Sequence, residues 1–178
     1  VDHEFATIHG VTEDVTEIIL NLKQVRFKKV TDQEVSTEKL LLNVRNKTEF
    51  TAGMLGEATQ NFQVMNPELV ICTLDSSAKI DIELTVAKGR GYIPAEENKQ
   101  KDAPFGVIAI DSIHTPIKNV KYSIDNYRVE QRTDYEKLML DVITDGTIHP
   151  EEAVKQAARI LIQHLMIITD ENITFDNK

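Results

Sequence analysis

The stretch that decides the fold is residues 121–165, KYSIDNYRVEQRTDYEKLMLDVITDGTIHPEEAVKQAARILIQHL. Apolar and polar residues alternate on both sides of a charged crossing segment, which predicts two strands that each turn one face to a core. Asp145-Gly146 predicts a turn after the second strand, because glycine accepts the positive φ that tight turns often need. The alternating apolar residues are Val120, Tyr122 and Ile124 in the first strand and Leu138, Leu140 and Val142 in the second.

A helix over residues 150–168 follows this turn. Pro150 suits the first helical position, where its missing N–H costs nothing, and Glu151 and Glu152 favour the positive end of the helix dipole. Polar residues occupy one narrow stripe, and the apolar arc beside it is wider than packing on a single sheet face requires. Periodicity leaves two interpretations open, which are a helix buried within its own domain and a helix at a subunit interface.

Composition limits the kind of protein this is. The 178 residues, 41% hydrophobic and 28% charged, are typical of a soluble globular protein with one medium domain or two small ones. No apolar run is long enough to span a bilayer and no signal peptide pattern is present, so we expect a cytoplasmic protein without membrane partners. The net charge of −9 argues against direct binding of DNA, although binding through a local basic patch within residues 23–29 remains an open alternative.

The first 115 residues predict mixed strands with one amphipathic helix. That helix has Thr12 as its N-cap and ends near Lys23, and the clearest strand alternates over residues 80–86. A further short strand is expected at residues 107–110, and two glycines predict an interruption at residues 51–56. The lone Cys72 lies in an apolar run and is expected to be a buried small residue.

No stretch carries a strong catalytic, cofactor or metal motif. Residues 89–91, Gly-Arg-Gly, lack the third glycine of a dinucleotide-binding loop and favour a tight turn, and the five histidines have no HxxxH or CxxC companions. The alternating charges of residues 128–134 resemble an active-site cluster, but an ion-paired or partner-contacting face is more typical. We therefore expect no catalytic residue, cofactor or metal ion in this chain itself.

Four sequence blocks together carry a resemblance. They are Tyr127-Arg-Val-Glu-Gln-Arg-Thr-Asp134, Gly146-Thr-Ile-His-Pro-Glu-Glu-Ala153, Gly10-Val-Thr-Glu-Asp14 running into Glu17-Ile-Ile-Leu-Asn-Leu-Lys23, and Lys88-Gly-Arg-Gly-Tyr-Ile-Pro-Ala95. In this order they resemble the N-terminal domain of the bacterial DNA-directed RNA polymerase alpha subunit. The resemblance implies an α+β fold, with an insert subdomain at 1–115 and the C-terminal part of a dimerisation subdomain at 116–178.

The family's function is then expected for this chain. In the family this domain is a non-catalytic platform that dimerises and recruits the large beta and beta-prime subunits, which form the nucleotidyltransferase. The family also has a preceding strand and helix and a separate DNA-binding C-terminal domain that find no match here, so we expect a piece of a longer subunit that does not bind DNA directly. Two alternatives stay open: a small enzyme acting on an anionic molecule through Arg90 or residues 128–134, and a nucleic-acid-binding module using residues 23–29.

The resemblance also implies where partners bind. Lys23 and Ile110 match positions where the family contacts its large subunits, and loop 96–102 matches a loop that receives a transcription activator in some relatives, although here it mixes acidic residues with lysines. A second region facing a large subunit is matched by Arg128, Glu130, Arg132 and Asp134. The helix at 150–168 matches the dimerisation helix, with its interface residues at Val154, Ala157, Ala158, Leu161, Leu165 and Ile168.

Overall fold

The structure, a computed structural model, describes residues 5–31, 35–99, 104 and 106–168. The chain divides into two compact units, unit 1 (Val1–Thr115) and unit 2 (Pro116–Lys178). Helices and antiparallel strand pairs build the fold, which confirms the α+β class. The helices are α1 (Val15–Leu22), α2 (Ala52–Ala58), α3 (Ala95–Asn98) and α4 (Pro150–Leu165). The strands are β1 (Phe27–Lys29), β2 (Thr37–Arg45), β3 (Glu49–Thr51), β4 (Phe62–Val64), β5 (Val70–Thr73), β6 (Lys79–Ala87), β7 (Tyr92–Ile93), β8 (Ser112–Ile113), β9 (Ile117–Val129) and β10 (Arg132–Thr144).

The described residues of unit 1 form four antiparallel pairs: β1 with β4, β2 with β6, β3 with β5 and β7 with β8. The β2–β6 pair confirms the alternation predicted for residues 80–86, since Leu40 lies opposite Leu84 and Leu42 opposite Ile82. The opposite face is mostly polar, with Leu41 as an exposed exception, and it carries ion pairs such as Lys39–Glu83, at 2.9 Å between Nζ and Oε1. The expected short strand at 107–110 does not form, and the nearest pairing is β8 with β7.

The core of unit 1 lies between these strand pairs, α1 and α2. Phe50, Leu55, Ile71 and Cys72 are fully buried in it, and each large apolar side chain removed from water contributes about 1.5–3 kcal/mol. Cys72 is the buried small residue that was predicted, and burial raises the pKa of its thiol to about 11.

Two further local predictions for unit 1 were wrong. The N-cap of α1 is Asp14, not Thr12, because Asp14 forms a capping box in which its Oδ1 accepts the Glu17 N–H at 2.8 Å and the Glu17 carboxylate accepts the Asp14 N–H at 3.3 Å. The stretch 51–56 contains most of α2 instead of an interruption. Its glycines permit close packing, since a Cβ at Gly53 would lie 3.3 Å from the Pro67 carbonyl oxygen and one at Gly56 3.4 Å from Val64.

Unit 2 is a long antiparallel hairpin followed by α4. The charged crossing segment proves to be the end of this hairpin: both strands run through it, and only Glu130 and Gln131 form the turn. Glu130 has a φ of 54°, and the register shifts between Arg132 and Tyr135, so the tip is a tight, bulged turn. A two-residue turn was missed because neither residue is a glycine or an asparagine, the usual signals.

The predicted alternation in unit 2 is confirmed, but the predicted core is absent from the described residues. Ile124 lies opposite Leu138 and Tyr122 opposite Leu140, so one hairpin face is apolar in its middle part. The same face becomes polar toward the tip, where Asn126 lies opposite Glu136. Tyr122 is nevertheless 72% exposed, and none of the described residues of unit 2 is buried. The helix also ends earlier than predicted, with Met166 as its C-cap.

Candidate functional site

Lys23 lies at the C-terminal end of α1, where it is the helix C-cap. The guanidinium of Arg26 donates a hydrogen bond to the Lys23 carbonyl at 2.8 Å and so pairs one of the carbonyls left free at the helix end. The Lys23 ammonium forms an ion pair with the Asp111 carboxylate, and both side chains are about three-quarters buried, at 24% and 21% exposure. The structure thus brings Lys23 beside the segment that contains Ile110, the other predicted contact residue of unit 1.

The segment 110–112 is held from its other side by Asn98, the last residue of α3. The Asn98 side-chain amide donates to the Ile110 carbonyl at 2.8 Å and contacts the Ser112 hydroxyl at 2.9 Å. Immediately after Asp111, strand β8 pairs with β7, which places Tyr92 opposite Ile113. We call the set formed by Lys23, Tyr92, Asn98, Ile110 and Asp111 the Lys23 surface.

Charge and hydrogen bonding keep Asp111 ionised. The hydrogen bond from the Lys23 ammonium is the main reason that the pKa of Asp111 lies below its usual range, and a hydrogen bond from the Tyr92 hydroxyl adds to it. The Tyr92 ring is exposed, yet desolvation of its hydroxyl, followed by the charge of Asp111, raises the pKa of Tyr92. One carboxylate therefore links the end of α1 to the start of β7.

The Gly-Arg-Gly stretch is a turn in which the glycines permit close approach. A Cβ at Gly89 would lie 2.5 Å from the imidazole of His114, and Gly91 has a φ of +64°. The His114 N–H donates to the Gly91 carbonyl at 2.8 Å. The tight turn predicted for residues 89–91 is confirmed, and it leads directly into the β7–β8 pair.

The tip of the hairpin in unit 2 carries the other four predicted contact residues, all exposed. Arg132 binds Asp134 through two hydrogen bonds, of 3.1 and 2.7 Å, which lower the pKa of Asp134. The Arg132 guanidinium also stacks 5.1 Å above the ring of Tyr135, and Arg128 donates to the Glu130 carbonyl at 2.8 Å. These contacts hold the charged groups of Arg128, Arg132 and Asp134 in place while leaving them open to solvent.

The predicted interface residues of α4 are all exposed or half-buried, and no described residue of that helix is buried. Leu161 and Leu165 are 65% and 61% exposed, whereas most leucines in folded proteins are well covered. Ile168 is exposed as well but lies beyond the helix end at Leu165, so its inclusion in the helix was wrong. Val154, Ala157 and Ala158 stand on the helix as predicted.

The basic residues 23–29 do not form one patch. Lys23 is paired with Asp111 and Arg26 donates to backbone carbonyls, while Lys28 and Lys29 are neighbours on β1 and point to opposite faces. An open depression of about 570 Å³ lies between β10 and the start of α4, and none of residues 128–134 lines it. Neither the nucleic-acid alternative nor the enzyme alternative gains support from these arrangements.

Three further expectations concern metal binding, membrane spanning and loop 96–102. In the part of the chain that the structure describes, no three His, Cys, Asp or Glu side chains are grouped so that they could hold a metal ion. No described helix is both long and apolar enough to cross a membrane. Loop 96–102 begins within α3, and its residues 100–102 lie outside the described residues.

Sequence reasoning missed the roles of Tyr92 and Asn98 in the Lys23 surface. The sequence predictions placed Asn98 in loop 96–102 and gave Tyr92 no role, and the partners of these two residues lie 12 to 19 residues further along the chain. The adjacency of Asp111 to Ile110 was the one available signal. A carboxylate beside a predicted contact residue is a natural partner for a lysine such as Lys23.

Comparison with known proteins agrees with the resemblance seen in the sequence. Residues 1–115 match the family model described as the RNA polymerase Rpb3/RpoA insert domain. The chain is 59% identical to the DNA-directed RNA polymerase subunit alpha of Cytophaga hutchinsonii over 174 residues, which are 98% of this chain and 52% of that protein. It is 57% identical to the alpha subunit of Bacteroides thetaiotaomicron, covering 99% of this chain and 53% of that protein, and 48% identical to that of Prosthecochloris aestuarii, covering 96% and 51%.

The chain thus spans about half the length of the curated relatives it matches. Similarity at this level over nearly all of the chain confirms the resemblance carried by the four sequence blocks. The family model covers more than half of the chain and coincides with unit 1. The chain therefore belongs to the RNA polymerase Rpb3/RpoA insert-domain family, in its bacterial alpha-subunit branch.

Proposed function

We propose that this chain is part of a non-catalytic assembly platform of bacterial DNA-directed RNA polymerase. The platform dimerises and recruits the beta and beta-prime subunits, and a cytoplasmic location follows from that role. Unit 1 is then the insert subdomain, and unit 2 is the C-terminal part of the dimerisation subdomain.

The observation that carries this proposal is the exposed apolar surface of unit 2. One face of the β9–β10 hairpin carries a continuous apolar patch over residues 120–124 and 138–142, and α4 presents Leu161 and Leu165 to solvent. Monomeric proteins rarely leave contiguous apolar surface uncovered, and larger exposed patches mark sites of protein association. A platform completed by other chains accounts for this surface, whereas a small enzyme or a nucleic-acid-binding module does not.

We propose two contacts with the large subunits, one through Lys23 and Ile110 in unit 1 and one through the hairpin tip in unit 2. Arg132 is held by Asp134 and Tyr135 in one orientation but is still 66% exposed as a side chain. Its side-chain entropy is thus reduced before any partner binds, which favours recognition. Arginine in such a setting is typical of residues that contribute strongly to protein interfaces.

Capture of the large subunits tests the proposal. The chain, carrying an affinity tag, is co-expressed with the beta and beta-prime subunits, and the amount retained is compared for Arg132→Ala and for Arg45→Ala. Arg45 is a matched control, because it is also an exposed strand arginine paired with an aspartate, at 3.6 Å from Asp81. We expect the unsubstituted chain and Arg45→Ala to retain the large subunits and Arg132→Ala to retain several-fold less.

Two results would contradict the proposal. One is the absence of capture by the unsubstituted chain under conditions where a full-length alpha subunit captures both partners. The other is equal loss for Arg45→Ala and Arg132→Ala, because this would point to a general charge effect instead of a specific surface.

A further inference from the structure

The Lys23–Asp111 pair joins two parts of unit 1 that are far apart in sequence. Lys23 ends α1, while Asp111 precedes β8, and the segment before it (106–111) has no strand pairing of its own. An unpaired segment stays in one conformation only where other contacts fix it. The Val107 N–H donates to the Pro104 carbonyl at 3.3 Å within the loop itself. The contacts from other elements are the Lys23 ion pair, the Tyr92 hydrogen bond and the Asn98 hydrogen bond to the Ile110 carbonyl, and Asn98 also contacts the adjacent Ser112.

The burial of the Lys23–Asp111 pair indicates that the Lys23 ammonium binds mainly within the chain and not to a partner. Its side chain is 24% exposed and its charge is matched by a carboxylate that also accepts from Tyr92. The exposed pair Lys39–Glu83 differs, since its side chains are 69% and 54% exposed. A lysine that mainly binds an acidic group of a partner would be expected to be as exposed as Lys39. A lysine that is buried and already paired within its own chain must first break that pair before it can bind a partner.

From these contacts we infer that Asp111 and Asn98 are positioning residues, and that Lys23 acts chiefly through Asp111. Together they hold segment 110–112 against the end of α1, so that the half-buried Ile110 is presented in one orientation to a large polymerase subunit. This inference rests on the proposed function for its partner. The positioning itself is a property of the chain alone and can be measured without any partner.

The first test is amide hydrogen exchange of residues 107–113 in the chain alone. We expect Asp111→Asn and Asn98→Ala each to speed exchange there by about fivefold, which is the upper end of the range for a partly exposed ion pair and the middle of the range for a hydrogen bond. Glu83→Gln, which removes the exposed pair on β2–β6, serves as the control and should leave this segment unchanged. Unchanged exchange in both variants would overturn the inference.

The second test is a charge exchange between the two partners, read by capture of the large subunits. Lys23→Asp and Asp111→Lys should each reduce capture several-fold, and the double variant should restore both capture and slow exchange, because the pair is rebuilt with its charges reversed. Restored protection without restored capture would show that Lys23 contacts the partner directly, which overturns the inference. Asp111→Glu should retain most of the capture, since it keeps the charge.

The two tests separate this inference from the proposed function. If the unsubstituted chain captures no large subunit, the proposed function fails whatever the exchange rates are. If capture occurs but Asp111→Asn changes neither capture nor exchange, only the positioning role fails.

Discussion

The same substitution, leucine to alanine, should destabilise unit 1 far more than unit 2. Leu55 in α2 is 0% exposed, and the roughly three carbon groups that alanine lacks give about 2.4 kcal/mol of lost transfer free energy. The cavity left behind adds to this, so Leu55→Ala should lower the free energy of unfolding by about 3–5 kcal/mol. Leu161 in α4 is 65% exposed, so only about a third of that transfer term applies, and the better helix propensity of alanine offsets part of it. Leu161→Ala should therefore cost under about 1 kcal/mol.

Urea unfolding at low protein concentration measures both values, and peptide-level hydrogen exchange assigns each loss to unit 1 or unit 2. Sedimentation velocity establishes that the chain is monomeric under these conditions, and it should show weaker self-association for Leu161→Ala at high concentration. A cost above about 2 kcal/mol for Leu161→Ala in the monomer would refute the reasoning, because it would mean that the chain itself already covers this side chain.

Three further predictions concern single groups. Lys23 lowers the pKa of Asp111 in the folded state, so the ion pair stabilises the fold above about pH 4. This stabilisation is lost as the pH falls from there through the lower pKa of the folded state. In urea unfolding, Asp111→Asn should therefore make the free energy of unfolding depend less on pH in this acidic range. The buried Thr59 hydroxyl accepts the Phe62 N–H at 3.2 Å, so Thr59→Val should cost about 1–3 kcal/mol in the same assay, whereas Thr59→Ser should cost less. Gly146 has a φ of +93°, and a Cβ added there would meet no atom within 4 Å, so Gly146→Ala should lower stability by about 1 kcal/mol through backbone strain alone, measured as a shift in Tm.

The sequence predicted the features that depend on local periodicity. The alternation of Leu138 and Leu140, the proline at the start of α4 and the burial of Cys72 all follow from spacing and residue type, and the structure confirms them. The errors occur where tertiary contacts or competing local signals decide. Two glycines suggested a break in α2, but they permit close packing on Pro67 and Val64.

The candidate site was only partly predictable for the same reason. The resemblance singled out Lys23 and Ile110 separately, yet nothing in their spacing shows that Asp111 and Asn98 connect them. Contacts across 88 residues depend on how the strand pairs are arranged, which periodicity does not specify. The charged residues at the hairpin tip were identified because they are close in sequence, but the turn at Glu130 was not predicted.

The difference in burial between the two units links folding to assembly. Unit 1 has a core of fully buried side chains such as Phe50 and Ile71, whereas the described part of unit 2 has none. A two-stranded hairpin is marginally stable in water, and ordering each residue of its backbone costs about 1–2 kcal/mol. If the proposed platform role holds, a partner that covers the apolar patch of β9 and β10 offsets this cost, and the ordering of unit 2 is then coupled to its association with other chains. A polar substitution at Leu138 should for that reason weaken association and also increase hydrogen exchange along β9 and β10. A substitution that removes only a contact with the partner should weaken association and leave hydrogen exchange in the hairpin unchanged.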